Sequence, residues 1–268
     1  LNTGHGMGVQ APRSRKEWIY RRSLGRTDAV VAVCEAARER FSAQGVRPRG
    51  RLVSVPNGIR TGVFHAADAP HRQALRDALG VPASARVVGT VGRLNPVKDQ
   101  TMLLQAFARL RATRPDCVLV LVGDGPSRAE LTSCAQALGM ADAVHFLGDR
   151  GDVRALLPGF DVFALSSRSE GYSMALLEAC ASGVPIVCTD VGGNREIVAE
   201  GRNGRLGPAG DAVAMADVLG ALLDTPALAH AMGTAGRDWA LAHASVERMA
   251  ARYAALYRAG RQRAGADA

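Results

Sequence analysis

Apolar residues along this chain come in short unbroken runs rather than in strict alternation. Runs at 28–34, 51–55, 86–91, 117–122, 143–147, 161–165, 185–189 and, weakly, 204–206 have strand length. A parallel strand buried on both faces reads this way, because its side chains meet helices above and below the sheet. Between the runs lie stretches with helical spacing of apolar positions. They fall at 13–26, 35–44, 71–79, 99–113, 127–138, 174–182, 194–200, 211–223 and 226–259, the last with a break. Strands alternating with helices of this length predict βαβ units and a doubly wound parallel sheet, hence an α/β fold.

The pattern weakens between Val55-Pro56-Asn57-Gly58, which has turn chemistry, and Pro70. From 71 to 225 the elements form one Rossmann-sized unit. Before the break only two strands are visible, too few for a doubly wound domain. The expected organisation is residues 1–60 as the tail of an N-terminal Rossmann-like domain whose beginning is missing. Residues 61–240 follow as a complete Rossmann-like domain, and 241–268 as a C-terminal helix, crossing back or capping, with a frayed tail. The first residue being Leu1 rather than Met fits an N-terminal truncation.

Composition narrows the picture. A 268-residue chain with 47% hydrophobic and 22% charged residues has room for a core and is not wholly disordered. Thirty glycines with only 4% aromatic residues suit many strand-to-helix turns better than an aromatic-packed β-sandwich. The balance of 33 basic against 25 acidic residues gives +8, which admits nucleic acid, an anionic membrane or an anionic small ligand. Five cysteines without a Cys-x-x-Cys pair point to reduced, buried thiols rather than disulfides or zinc. Apolar runs fall far short of the ~18 residues of a membrane span, and no signal-peptide pattern opens the chain. A cytoplasmic protein is expected.

Two segments carry candidate chemistry. In Ser169-Glu170-Gly171-Tyr172-Ser173-Met174, followed by Ala-Leu-Leu-Glu178, a strand gives way to a helix beginning at Met174. Ser173 stands where an N-cap is expected. The free amides of the first turn make an anion site at the carboxyl edge of the sheet, where open α/β sheets bind ligands. Glu170 and Glu178 bracket that turn across roughly 10–12 Å at 1.5 Å per residue. The span suits acceptors for hydroxyls at two ends of a nucleoside diphosphate sugar. Glu178 lies in an apolar helix, where an idle charge is costly. The second segment is Val91-Gly92-Arg93-Leu94-Asn95-Pro96-Val97-Lys98-Asp99. Arg93 and Lys98 leave a buried strand at the same edge. There they would neutralise a diphosphate and stabilise a leaving group, although cations at a helix start oppose its dipole.

Taken together, "EGYSMALLEACASGVPIVCTDVGG", "VGRLNPVKD", "LVGDGP", "FLG" and "VPNGI" resemble retaining glycosyltransferases of family 4, which have the GT-B fold. The closest flavour is bacterial enzymes of surface polysaccharide or lipid-linked glycan assembly. The resemblance implies a sugar moved from a UDP- or GDP-sugar to a glycan or lipid-linked acceptor with retention, with residues 1–60 on the acceptor side and 61–240 as the donor-binding domain. Arg93 and Lys98 would grip the diphosphate and Glu170 the donor-sugar hydroxyls. The amides of Tyr172, Ser173 and Met174, beside Gly171, would cradle the distal phosphate, and Glu178 would hold the ribose. Gly92, Gly123 and Gly125 would shape the floor, and 146–150 would border the base. His5, flanked by Gly4, Gly6 and Gly8, would face the donor sugar. Tyr172 and Ser173 depart from the family's usual Phe and Gly, which is tolerable where backbone amides bind.

Absences bound the mechanism further. The sequence lacks Asp-x-Asp, a clustered histidine set and a P-loop, so no metal, no cofactor and no NTPase chemistry is expected. Spread basic residues without stacking aromatics argue against nucleic acid. The basic run Arg13, Arg15, Lys16, Arg21, Arg22 and Arg26 around Trp18, Ile19 and Tyr20 reads as a solvated helix or as a peripheral contact with the inner face of an anionic membrane. Alternative functions are a sugar phosphorylase, a sugar-nucleotide epimerase, or a nucleotide-sugar binding module. As given, the chain is expected to bind donor and transfer poorly.

Overall fold

The computed structural model describes residues 2–4 and 22–266. His5 and the run from Arg13 to Arg21 lie outside the described residues. A small parallel sheet comes first, β1 (Asn2–Gly4), β2 (Ala29–Ala32) and β3 (Arg51–Ser54), in that spatial order. Strand β1 escapes a reading of the sequence, since three residues with a polar pair show no apolar run. Helix α1 (Glu35–Ala43) follows β2. Helix α2 (Ala69–Leu79) starts where the Asp68 carboxylate accepts the His71 amide at 2.9 Å, and it stops at left-handed Gly80.

The second sheet has six parallel strands: β4 (Arg86–Val91), β5 (Cys117–Val122), β6 (Val144–Gly148), β7 (Val162–Leu165), β8 (Ile186–Thr189) and β9 (Gly204–Gly207). Their spatial order is β6-β5-β4-β7-β8-β9. The chain winds one way from β4 and the other way from β7, so a crevice opens beyond the carboxyl ends of that pair. The connecting helices are α3 (Gln100–Thr113), α4 (Arg128–Ala137), α5 (Val153–Leu156), α6 (Met174–Ala181), α7 (Asn194–Ile197) and α8 (Ala212–Leu223), followed by α9 (Pro226–His243) and α10 (Val246–Ala266). Helix α7 is shorter than its sequence pattern. The Asn203 side chain accepts the Ala199 amide at 2.7 Å and donates to the Ile197 carbonyl at 2.9 Å, turning the chain out of the helix. The α9–α10 break falls where Ile59 inserts, donating to Ala244 O at 2.8 Å and accepting from Val246 N at 2.9 Å.

Strand β5 explains its own unbroken apolar run. Val118, Val120 and Val122 face one hydrophobic cluster, and Cys117, Leu119 and Leu121 face the other. The first cluster continues into the small sheet through Val30 and Ala32 and into α1 through Phe41, so both sheets share one core. Arg76, buried on α2, donates to Ala85 O and to the Asp161 carboxylate at 2.6 Å, and Asp161 also accepts the Val87 amide. That pairing ties α2 to the starts of β4 and β7.

Polar contacts cross the seam as well. The Glu196 carboxylate accepts the amides of Glu35 at 2.9 Å and Ala36 at 3.0 Å, and the Cys34 thiol donates to Gly171 O at 3.2 Å. Helix α10 returns to the small sheet, where Leu256 and Ala259 line a small cavity with Asp28, Ala29 and Arg51. All five cysteines are free, four of them buried, and burial pushes the Cys117 and Cys180 thiols up to about 12. Among the described residues no single helix is long and apolar enough to cross a membrane.

Candidate active site

Three loops at the carboxyl ends of β4, β5 and β7 build the site, and their glycines let backbone meet backbone. Gly92 N donates to Val122 O at 2.9 Å, Leu94 N to Asp124 O at 3.0 Å and Gly123 N to Gly148 O at 2.7 Å. A Cβ on Gly123, at φ +126°, would lie 2.2 Å from Gly92 O, and one on Gly125 2.2 Å from Leu94 O. Only glycine permits that approach. Gly125 lines neither cavity of this region, and its place is explained by loop packing. Gly123 lines a cavity of about 360 Å³ with Arg93, Asp149 and Arg150, beside the main cleft.

The main cleft, about 440 Å³, lies between the two sheets. Gly92, Arg93, Lys98, Glu170, Gly171, Tyr172, Ser173, Met174 and Glu178 all line it, while Val33 and Asn57 form the opposite wall. These two were not read from the sequence, because nothing local marks a residue that reaches the site only across the seam.

The Arg93 side chain is exposed at the rim, and its carbonyl is held by Gln100 Nε2 at 3.0 Å. Lys98 Nζ lies 2.5 Å from Glu170 Oε1, and the same oxygen accepts the Ser167 hydroxyl at 2.6 Å. Lys98 and Glu170 therefore act as one unit rather than as separate groups. Behind them Ser166 Oγ donates to Lys98 O at 2.8 Å and Arg168 N to Val97 O at 2.8 Å. Gly192 packs so closely that a Cβ there would lie 1.9 Å from Glu170 O.

Helix α6 begins at Met174, but the Ser173 hydroxyl does not cap it. Its role as a side-chain cap, expected from residue type, is not realised. Ser173 contributes backbone, accepting the Leu177 amide at 3.3 Å. Among the described residues nothing accepts from the amides of Tyr172, Ser173 or Met174, so they are left facing the cleft with the partial positive charge of a helix start. The Tyr172 ring instead packs into the shared core, and burial raises its hydroxyl. Glu178 is half-buried at the far end of the cleft, with no ion partner among the described residues. Burial pushes its carboxyl above the usual range. Free amides, two cations and two carboxylates thus line one cleft, an arrangement chemically suited to an anion that also carries hydroxyl groups. Among the described residues no group of three or more His, Cys, Asp or Glu is placed to hold a metal ion.

Comparison with known proteins agrees with this geometry. Residues 71–239 match the family model "Glycosyl transferases group 1". The chain is 37% identical over 250 residues to a GDP-mannose-dependent alpha-(1-6)-phosphatidylinositol monomannoside mannosyltransferase of Mycolicibacterium smegmatis, covering 89% of this chain and 64% of that protein. It thus spans less than two thirds of that relative. It is 31% identical over 265 residues to the putative glycosyltransferase EpsD of Bacillus subtilis, covering 95% of this chain and 69% of that one. Among solved structures, Anabaena Alr3699/HepE in complex with UDP and glucose superposes with a TM-score of 0.85 at 25% identity, over 96% of this chain and 70% of that one. Sucrose-phosphate synthase from Thermosynechococcus elongatus gives 0.81 at 26% identity, over 96% and 66%. The fold is therefore of the GT-B type, and the chain belongs to the glycosyl transferases group 1 family.

Proposed function

We propose that this protein moves a sugar from a UDP- or GDP-sugar to a glycan or lipid-linked acceptor with retention of anomeric configuration, as a family 4 enzyme. The observation carrying this reading is the row of acceptor-less amides at 172–174, lining one cleft with Arg93, Lys98, Glu170 and Glu178. In this reading the amides hold the distal phosphate, and the two cations neutralise the diphosphate. Glu170 accepts from sugar hydroxyls and Glu178 from the ribose, and His5, which lies outside the described residues, is assigned to the donor sugar. The base lies toward Gly123 and 146–150, in the cavity beside the cleft. Relatives support either base, since one is named for GDP-mannose and another was solved with UDP.

The reaction follows from the same groups. The bond from the anomeric carbon to the diphosphate oxygen breaks, and Arg93, Lys98 and the amides stabilise the charge that develops there. The departing oxygen takes the acceptor hydroxyl's proton, and the new bond forms on the face just vacated. No protein nucleophile and no metal takes part. Calorimetric titration of the chain with UDP and GDP tests the site. At least one is expected to bind, with Arg93→Ala and Lys98→Ala each weakening it about tenfold or more, as for a lost charge-assisted contact. Binding by neither nucleotide, or binding indifferent to both substitutions, would overturn the reading. Transfer assays with chelator present, and the anomeric coupling of the product, test metal independence and retention.

A further inference from the structure

Asp99, directly after Lys98, is the one non-glycine with positive φ among the described residues, at φ 47° and ψ 45°. A side chain in that region is tolerated where the surroundings hold it there. Here they do: Asp99 is buried at 4% exposure, and its carboxylate takes Arg168 Nε at 2.7 Å and Nη2 at 3.3 Å. Arg168 belongs to the other loop, two residues before Glu170. Its backbone amide also donates to Val97 O, and the Ser166 hydroxyl donates to Lys98 O. The left-handed turn, the two-pronged ion pair and these bonds all converge on the bond between Lys98 and Glu170.

We infer that Asp99 and Arg168 form a clamp that positions Lys98 against Glu170, making the diphosphate-side and sugar-side loops a single rigid unit. Neither residue touches the cleft, so both are positioning residues. The inference rests on the proposed donor site for its consequence, but not for its geometry. With the clamp closed, Glu170 Oε1 is occupied by Lys98 and Ser167, and Oε2 is the oxygen left for a donor hydroxyl. With the clamp open, Lys98 swings on its flexible stem and both loops lose register.

The test compares wild type with Arg168→Ala, Arg168→Lys, and Asp99→Gly, which accepts the positive φ but removes the carboxylate. One readout needs no ligand: the ¹⁵N-detected ammonium signal of Lys98, assigned through Lys98→Arg, which persists in cold solution only while held in a hydrogen bond. A second is the dissociation constant for UDP- and GDP-sugars. The clamp predicts loss of that signal in Arg168→Ala and Asp99→Gly, with five- to twentyfold weaker binding at unchanged circular dichroism. Partial recovery of both is expected in Arg168→Lys, which keeps the charge but not the fork. A wild-type Lys98 signal in Arg168→Ala and Asp99→Gly would overturn the clamp, as would lower thermal stability with unchanged affinity. If wild type binds no nucleotide, the donor-site reading fails, while the Lys98 signal still decides the clamp.

Discussion

Glu178 is a carboxylate half-buried in an apolar helix with no counter-ion among the described residues, and burial raises its pKa. The folded protein holds that proton more tightly than the unfolded chain does. The stability contributed at this position is therefore full below the ordinary carboxylate range and is lost as pH rises through the raised value. Glu178→Gln is expected to unfold at a higher temperature than wild type at pH 7, with the gain closing as pH falls through the raised value and gone below 4.5, the carboxyl's ordinary value. The same variant should bind nucleotide more weakly. Thermal unfolding followed from pH 3.5 to 7.5 checks the first point, and titration calorimetry the second. The residue scale is also where the sequence was most informative. Glu170, Glu178, Lys98 and Arg93 stand out because charged side chains beside apolar runs are costly unless they are used. Ser166, Ser167, Arg168 and Asp99 do not stand out, since polar residues before a helix read as ordinary loop.

At the scale of elements, loop-to-loop packing is set by glycines whose neighbours are remote in sequence. Gly192 sits at φ +55°, and a Cβ there would lie 1.9 Å from the Glu170 carbonyl. Gly192→Ala is expected to cost about 2 kcal/mol or more, from the left-handed backbone and the displaced loop together. It should also weaken nucleotide binding, because the loop that moves carries Glu170. Gly210, at φ +77° with nothing within 4 Å of a Cβ, is the control. Gly210→Ala should lose about 1 kcal/mol, the backbone cost alone, at unchanged affinity. Chemical denaturation paired with titration separates the two. Elements themselves were largely legible, since buried parallel strands announce themselves by unbroken apolar runs. Strand β1 and helix α5 were not, because three or four residues are too short to show a period.

For the whole molecule, the seam between the sheets determines whether the cleft has two walls. Glu196, on α7 after β8 of the six-stranded sheet, accepts two amides at the start of α1, the helix that follows β2 of the small one. It is the cap of a helix to which it does not belong. Glu196→Ala is expected to lower stability by about 1–2 kcal/mol, the scale of a lost cap with charge-assisted bonds. Hydrogen exchange should rise at the amides of residues 35–37 and stay unchanged in β5, which lies inside the six-stranded sheet. Uniformly faster exchange in both places would show that the seam is not a local latch.

The sequence by itself determined the α/β class, the order of most elements and the identity of the charged groups and helix start that line the cleft. These are local properties, carried by period, residue type and turn chemistry over a few residues. The tertiary structure alone decided that Lys98 pairs with Glu170, 72 positions away, and that Arg168 holds Asp99, 69 away. It alone showed that Ser173 offers its backbone rather than its hydroxyl, and that Val33 and Asn57 close the cleft. Such contacts depend on where parallel strands place the ends of distant loops, and strand order is a property of the packed sheet, not of any single segment.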